Sequence, residues 1–260
     1  MRSSILANNY IRCDPDPTGN SISDKDSAVI DVYFAKTKDI STEYSRLKIF
    51  IDHKDKLKAE KLHFREDRNT YLFCHTLLRL ILAKKLNADP SGIQIINEGN
   101  NKPRLEGDLL FFNISHTRDA FAFAISERVK VGIDLEKVDR NVDFKSIIVK
   151  FFSTIERKFI LDSPEDSRNR FFLLWTRKES LLKAMGTGII SNLSQVHVMK
   201  KENTFSRETI EYMNDDSTYS NHFIYSKKVF KYYLSVSAPR KAKILLHQLN
   251  VEKVQYYCEE

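Results

Sequence analysis

Cysteine is scarce in this sequence, and its three cysteines, Cys13, Cys74 and Cys258, stand far apart. Their number is odd, and no pair has the C-x-x-C spacing of structural zinc sites, so neither a disulfide framework nor a zinc finger is expected. This cysteine usage favours a reducing compartment, and we therefore expect a cytoplasmic protein.

Long hydrophobic runs are also missing. No stretch reaches the roughly 18 apolar residues of a transmembrane helix. Residues 1–20 contain no apolar core of signal-peptide length either. We therefore expect no membrane association. No low-complexity tract, short repeat or Pro/Gly-rich linker divides the chain.

The overall composition is that of an ordinary folded protein. Hydrophobic residues make up 42% of the 260 positions and charged residues 30%, which argues against wholesale disorder. Lys and Arg outnumber Asp and Glu by 42 to 35, a formal charge of +7. That excess permits a polyanionic ligand or an acidic protein partner.

The order of predicted strands and helices favours two α/β halves that meet near residue 125. Residues 1–27 are polar and predict a flexible N-terminal extension. We place the first half at 28–125, the second half at 126–245 and a tail at 246–260. Residues 55–86 are predicted to be mainly helical and carry a basic cluster, which is also typical of a solvated helix face: Lys56, Lys58, Lys61, Arg65 and Arg68.

The segment "KVGIDLEKV", residues 130–138, predicts a strand that carries two carboxylates. Side chains two apart on a strand share a face, so Asp134 and Glu136 lie side by side, opposite the apolar residues that alternate with them. Like charges held this close repel, and each resists ionising without a compensating cation.

A predicted helix over 167–186 supplies further charged side chains. Glu179 and Lys183 are four residues apart and share one helical face, with Trp175 one turn earlier. This spacing most often gives a surface ion pair. Together with Asp134 and Glu136, however, Glu179 completes the set of hard oxygen ligands that Mg²⁺ prefers.

Two further segments carry groups that suit phosphate binding. In "FNISHT", residues 112–117, Ser115 and His116 could donate hydrogen bonds to phosphate oxygens. Lys102, in "NKP", adds a compact positive charge. Taken singly, a lone histidine is usually structural and a loop lysine is usually solvated.

In order along the chain, "NKP", "FNISHT", "VGIDLEKV", "FFSTIE" and "LWTRKESLLKAMGTGI" resemble the motifs of the Sfp-type 4′-phosphopantetheinyl transferases. The resemblance covers roughly residues 28–240. It implies the α+β fold of that family, with two similar α/β halves related by pseudo-twofold symmetry and the active site between them.

The resemblance also implies roles for individual residues. Asp134, Glu136 and Glu179 match the family's metal ligands, which implies Mg²⁺, with Mn²⁺ as the alternative ion. Lys183 matches a lysine near the pyrophosphate of coenzyme A, the co-substrate, and Glu179 is the candidate base for the carrier serine. Ser115, His116 and Lys102 match residues that contact coenzyme A phosphates.

The end of the site that would hold the nucleotide departs from the family pattern. Lys58 and Arg68 lie in the basic segment that, by resemblance, lies beside the nucleotide 3′-phosphate. Thr70 stands where an arginine is common. Glu156, in "FFSTIE", matches a position expected to support the structure of the site.

The implied reaction moves the 4′-phosphopantetheine arm of coenzyme A to a serine of an apo acyl or peptidyl carrier protein. The expected partners are coenzyme A and a carrier with an acidic surface, without nucleic acid, and the family implies a monomer. Apolar residues after the metal strand provide a hypothetical carrier surface, although the favoured interpretation places all four in the core: Phe144, Ile147, Ile148 and Phe151.

Two alternatives stay open from the residues alone. A Mg²⁺-dependent nuclease would use an acidic strand such as "DLEK", but it leaves "WTRKESLLKAMGTG" without a role. A non-catalytic module that binds carrier protein or nucleic acid would leave the acidic residues merely solvated.

Overall fold

The computed structural model describes residues 11–12, 28–98, 102–188, 193–204 and 221–258. Most of the predicted N-terminal extension, residues 1–10 and 13–27, lies outside these ranges. The elements of the first half are strands β1 (Ile11–Arg12), β2 (Ala28–Lys36), β3 (Ile95–Glu98), β4 (Lys102–Leu105), β5 (Phe111–His116) and β6 (Ala120–Ser126), with helices α1 (Tyr44–Leu47), α2 (His53–Glu60) and α3 (Arg65–Leu86).

The second half begins with β7 (Gly132–Lys137), the strand predicted around Asp134. It continues through α4 (Phe144–Phe151), α5 (Thr154–Leu161), α6 (Ser167–Met185), β8 (Glu202–Thr204), β9 (Asn221–Val229), β10 (Tyr232–Ala238), β11 (Ala242–Gln248) and α7 (Val251–Cys258). Short 3-10 turns occupy Thr37–Glu43, Lys48–Phe50, Pro90–Gly92, Glu106–Asp108 and Leu193–Gln195.

Both halves place their strands in the same order. The first sheet has the order β1-β11-β2-β6-β5 and the second β7-β10-β9-β8. In the first half, β2 pairs antiparallel with β6, and β6 pairs antiparallel with β5. In the second half, β7 pairs antiparallel with β10, and β10 pairs antiparallel with β9. The helices lie between the first strand and the others in sequence. The sequence prediction of a mixed α/β fold is confirmed.

The apolar alternation of two strands builds the core. On β6, Phe121, Phe123 and Ile125 pack into the cluster that contains α3, whereas the intervening alanines face the other way. Those alanines meet the apolar side chains of β7 and its preceding segment: Val129, Val131, Ile133 and Leu135. The two sheets therefore bury an apolar layer between them, and Asp134 and Glu136 point away from it.

The end of the chain returns to the first half, which differs from the predicted boundaries at 245 and 246. Strand β11 pairs in parallel with β2, from Ala242 beside Ala28 to Gln248 beside Phe34. Val254 of α7 is buried in the cluster that contains α3. The physical reason is that alternate β11 side chains are apolar and complete a sheet edge that would otherwise be open.

Within the described ranges, no helix is both long and apolar enough to cross a bilayer.

Candidate functional site

The site is centred where helix α6 crosses strand β7. A Cβ atom added at Gly132 would lie 2.0 Å from the carbonyl oxygen of Ser180 and 2.2 Å from the amide nitrogen of Ala184. Only glycine allows the helix backbone to approach the strand so closely. This contact brings Glu179 and Lys183 to the polar face of β7.

Asp134 is the buried centre of this contact. Its Oδ1 atom lies 2.7 Å from Lys183 Nζ and accepts a hydrogen bond of 3.0 Å from Ser115 Oγ. Lys183 Nζ also donates to Ser115 Oγ at 3.1 Å. Three predicted site residues from β5, β7 and α6 thus meet at one point.

The other two carboxylates surround Asp134. Burial and the negative charge of Asp134 raise the pKa of Glu136 to about 7, although Lys183 and a hydrogen bond from the Trp175 indole oppose the shift. Burial and Asp134 likewise raise the pKa of Glu179 to about 7. The site therefore concentrates negative charge that Lys183 alone does not balance.

Two carboxylate oxygen atoms in this cluster are suited to bind a cation. Asp134 Oδ2 and Glu179 Oε1 are buried and accept no hydrogen bond from the described part of the chain. Carboxylate oxygens of this kind suit Mg²⁺ or Mn²⁺. Nevertheless, nowhere in the described ranges do three acidic, histidine or cysteine side chains lie close enough together to form a ready metal site. The donor chemistry fits a divalent cation, and the ligand assignment stays a prediction.

Side chains of the "FNISHT" strand join the two sheets. Strands β5 and β7 belong to different sheets, but Asn113 Oδ1 accepts a hydrogen bond of 2.9 Å from the Ile133 amide. Two residues further on, Ser115 Oγ accepts one of 3.1 Å from the Leu135 amide. Our sequence reasoning missed Asn113. Its signal was a polar residue inside an apolar run, on the same strand face as Ser115.

His116 lies at the exposed end of β5, beyond Ser115. Desolvation of the ring and the positive charge of Lys183 lower the pKa of His116, which favours the neutral imidazole. A neutral imidazole still offers one N–H donor to a phosphate oxygen.

Lys102 reaches the site through the end of α6. Its ammonium group donates to the carbonyl oxygens of Lys183, at 2.5 Å, and Ala184, at 3.2 Å. These carbonyls belong to the last turn of α6, where a cation is favourable because backbone acceptors lack intrahelical partners. Lys102 therefore ties the first half to the helix that carries Lys183.

The two basic residues predicted to lie beside the nucleotide 3′-phosphate are on the surface. Lys58 and Arg68 are both exposed, and Arg68 donates to the His63 carbonyl at 3.2 Å. Thr70, at the position where the family commonly has arginine, is buried and hydrogen-bonds to Thr37 and to the Arg118 carbonyl. Thr70 therefore connects α3 to the 3-10 turn that follows β2 and to the β5–β6 turn.

Glu156 supports helix α6 from within the core. Its Oε2 lies 3.0 Å from Lys178 Nζ, and both side chains are fully buried. Lys178 also donates to the carbonyl oxygens of Leu193 and Val196. Glu156 accepts hydrogen bonds from the amides of Ser153 and Val198. This placement agrees with a supporting role.

Two of the four apolar residues on the hypothetical carrier surface of α4 belong to the core. Phe144 and Ile148 are 6% and 3% exposed, whereas Ile147 and Phe151 are half-buried against the same cluster. Phe151 contacts the Trp175 ring. The core interpretation therefore holds for Phe144 and Ile148.

Two family models match this chain. A model described as the 4′-phosphopantetheinyl transferase superfamily matches residues 130–236. A model described as 4′-phosphopantetheinyl transferase, N-terminal, matches residues 37–128. Together they cover most of the two α/β halves.

Individual relatives agree with these matches. The 4′-phosphopantetheinyl transferase psf-1 of Bacillus pumilus is 31% identical over 159 residues, which are 60% of this chain and 67% of psf-1. The chain belongs to the 4′-phosphopantetheinyl transferase superfamily. The 4′-phosphopantetheinyl transferase HetI of Nostoc sp. is 31% identical over 54% of this chain and 61% of HetI. For Sfp of Bacillus subtilis (strain 168), the identity is 29% over 56% of this chain and 65% of Sfp.

The superfamily matches contain every predicted site residue. The match over 130–236 contains the three acidic residues and Lys183, and the match over 37–128 contains the candidates for phosphate binding. The aligned segments span 61% to 67% of the three relatives named above.

Proposed function

We propose that this protein transfers the 4′-phosphopantetheine arm of coenzyme A to a serine of an apo carrier protein and releases adenosine 3′,5′-bisphosphate. The observation that carries the proposal is the junction of Ser115, Asp134 and Lys183, with the raised-pKa carboxyls of Glu136 and Glu179 beside it. Membership of the superfamily supports the same reaction.

The proposed transfer forms one bond and breaks one. The oxygen of the carrier serine forms a bond to the β-phosphorus of coenzyme A, and the pyrophosphate bond to the nucleotide breaks. Asp134, Glu136 and Glu179 would hold Mg²⁺ or Mn²⁺, which when bound neutralises charge on the pyrophosphate oxygens. The serine proton needs an acceptor, and Glu179, directly or through a bridging water molecule, is our candidate.

Cationic and neutral donors complete the proposed phosphate site. Lys183 stabilises the leaving phosphate, and the neutral imidazole of His116 donates a hydrogen bond to a phosphate oxygen. The Lys102 ammonium group lies at the end of α6, beside the same site. It would bind a phosphate oxygen after breaking its hydrogen bond to a helix carbonyl. The exposed Lys58 and Arg68 are proposed to attract the 3′-phosphate.

The proposed carrier surface is a cavity of about 1090 Å³ beside the end of β7. Its lining includes the apolar Phe144 and Leu161, and Glu165 is its one acidic lining residue among the described ones. Five basic residues also line it: Arg140, Lys145, Arg168, Lys228 and Lys231. An acidic helix with an apolar face complements such a surface.

Charge reversal tests this surface. The triple variant R140E/K145E/K231E should raise the KM for carrier at least about tenfold and leave the KM for coenzyme A unchanged, because rim charges mainly steer association. Lys243→Glu on the exposed face of β11 is the matched control. Equal changes of both KM values would contradict carrier docking here.

The whole reaction is tested by mass spectrometry. Incubation with coenzyme A, an apo-carrier and Mg²⁺ should add the mass of one phosphopantetheine arm to the carrier, and Asp134→Ala should abolish that gain. Asp162→Ala, an exposed acid on a helix end, serves as the control. Undiminished transfer by Asp134→Ala would overturn the metal assignment. Cleavage of added DNA would support the nuclease instead, and binding without transfer would support the module.

We further propose that the enzyme is monomeric and works in a reducing, cytoplasmic compartment. The Cys74 thiol, which forms no disulfide, supports the compartment. Burial raises the pKa of the Cys74 thiol, which keeps that thiol unreactive.

A further inference from the structure

A polar aromatic cluster stands beside the candidate phosphate site, where α2 meets α3. The Tyr71 hydroxyl donates to Asp55 Oδ1 at 3.0 Å. His75 Nδ1 lies 3.4 Å from the same oxygen atom. The rings of Tyr71 and His75 stack with centroids 4.1 Å apart and planes at 25°. One residue of α2, Asp55, and one of α3, His75, therefore fix the Tyr71 ring at its hydroxyl and on one face.

The Tyr71 ring also contacts His116. The two centroids are 6.3 Å apart and the planes cross at 82°, an edge-to-face arrangement. Within the described ranges, the His116 imidazole has no side-chain hydrogen bond that could set its orientation. His116 is exposed at the end of its strand, so its ring would otherwise rotate among rotamers.

The stacking partner of Tyr71 is uncharged. Burial lowers the pKa of His75 to about 4 although Asp55 opposes the shift. The titratable and charged groups that face this ring are Asp55, Lys58, Arg79 and His116. Because His75 remains neutral over the working pH range, the stack on Tyr71 does not depend on pH there.

We propose that Tyr71, held by Asp55 and His75, is a positioning residue that orients the imidazole of His116 toward the phosphates of coenzyme A. The inference rests on the proposed function, since it needs His116 to bind that substrate. It assigns Asp55, Tyr71 and His75 a task that neither the sequence motifs nor the site contacts include.

Kinetics of a double-mutant cycle test the proposal. Tyr71→Leu should raise the KM for coenzyme A about 3- to 10-fold, the range expected for loss of an aromatic contact. The kcat and the KM for carrier should change less than about twofold. Tyr71→Phe keeps the ring and loses only the hydroxyl bond to Asp55, so it should raise the KM for coenzyme A no more than about twofold. In a His116→Ala background, Tyr71→Leu should have no further effect, because Tyr71 acts through His116.

Two controls separate positioning from general damage. Tyr44→Leu removes another half-exposed tyrosine that touches Phe73 of α3, and should leave the KM for coenzyme A unchanged. If Tyr71→Leu does not fold, Asp55→Ala loosens the same ring and should raise this KM about twofold only while His116 is present. Additive effects of Tyr71→Leu and His116→Ala would overturn the proposal, as would an equal effect of Tyr44→Leu.

An NMR measurement keeps this inference separate from the proposed function. In the wild-type protein, the Tyr71 ring current should displace the His116 imidazole proton signals. Tyr71→Leu should remove that displacement and Tyr71→Phe should retain it. Unchanged signals in Tyr71→Leu would overturn the positioning role, whether or not the wild-type enzyme transfers an arm. Absence of transfer with the expected NMR shifts would overturn the proposed function alone.

Discussion

In the first half, helix α3 rests on the aromatic rings of β6, whereas in the second half helix α6 lies directly on the backbone of β7. Phe121 and Phe123 fill the space beneath α3. Beneath α6, the facing positions are Gly132 on β7 and buried serines on β10, one of which, Ser235, hydrogen-bonds to Thr176 of the helix at 2.8 Å. Two halves with the same strand order thus pack their helices in different ways.

The difference shows how a repeated architecture can serve both stability and chemistry. Large apolar side chains under α3 supply hydrophobic burial but hold the helix away from the sheet. Small residues under α6 bury less apolar surface, yet they allow a side chain as short as Asp134 to reach Lys183 at 2.7 Å. Polar contacts in the second half, above all Lys178 with Glu156, stabilise this close packing.

The largest effect is expected from breaking that ion pair. Lys178→Met leaves the Glu156 carboxylate buried without its cation and should lower the free energy of unfolding by about 3–5 kcal/mol. The first-half counterpart, Arg79→Met, should cost only about 1–2 kcal/mol, because its partner Asp52 is one-third exposed and can be solvated. Urea unfolding of both variants measures the two losses in the free energy of unfolding.

A second variant at the same pair checks the cause. Glu156→Met combined with Lys178→Met should recover part of the loss, since no unpaired buried charge remains. Equal losses for Lys178→Met and Arg79→Met would remove the distinction between the halves.

Gly132→Ala disrupts the close contact between β7 and α6. A methyl group 2.0 Å from a helix carbonyl forces α6 away from β7, which should cost about 3 kcal/mol and separate Lys183 from Asp134. Transfer activity should fall more than the folded fraction does. Gly92→Ala, with no atom within 4 Å of the added carbon, should change stability by less than about 0.5 kcal/mol. Full activity in folded Gly132→Ala would show that the site tolerates a wider helix–strand distance.

The pH dependence of stability should have opposite signs in the two halves. Burial would raise the pKa of Asp31 in the first sheet, but hydrogen bonds from His247 and Lys85 hold it below its ordinary value. Its stabilisation is present above the unfolded pKa and is lost as the pH falls through the folded pKa. Glu136 and Glu179 have pKa values raised from 4.5 to about 7, so their protonated forms stabilise the fold at low pH. That stabilisation is lost as the pH rises from about 5 to 7.

Metal addition sharpens this contrast. Between pH 5 and pH 8, ionisation of the two glutamates should lower the free energy of unfolding of the metal-free protein by on the order of 2 kcal/mol, after allowance for solvent screening. Mg²⁺ should raise the Tm at pH 8 and have little effect at pH 5. Thermal unfolding of wild type and Glu179→Gln, at both pH values and with or without Mg²⁺, measures both effects. A Tm that does not respond to Mg²⁺ at pH 8 would contradict the proposed metal ligands.

The sequence predicted those parts of the site that local periodicity controls. Strand β7 with its paired acids and helix α6 with Glu179 and Lys183 follow from periods of about 2.0 and 3.6 residues. The return of β11 to the first sheet, the contact of Lys102 with the end of α6 and the role of Asn113 did not follow. Each depends on where distant segments meet, which periodicity does not specify. The roles of Lys58 and Arg68 stay predictions, since both side chains lie exposed on the surface.

The smallest effect is expected at the side-chain bridge between the sheets. Asn113→Ala leaves the Ile133 amide buried without an acceptor and should cost about 1–2 kcal/mol, with transfer reduced only as far as folding is. Ser115→Ala removes the acceptor of the Leu135 amide and also a partner of Asp134 and Lys183, so its similar loss of stability should come with a fall in kcat. Urea unfolding and steady-state kinetics of the pair distinguish the two roles. If Asn113→Ala lowers kcat as much as Ser115→Ala does, the spacing of the two sheets, and not the Ser115 hydroxyl, controls the chemistry.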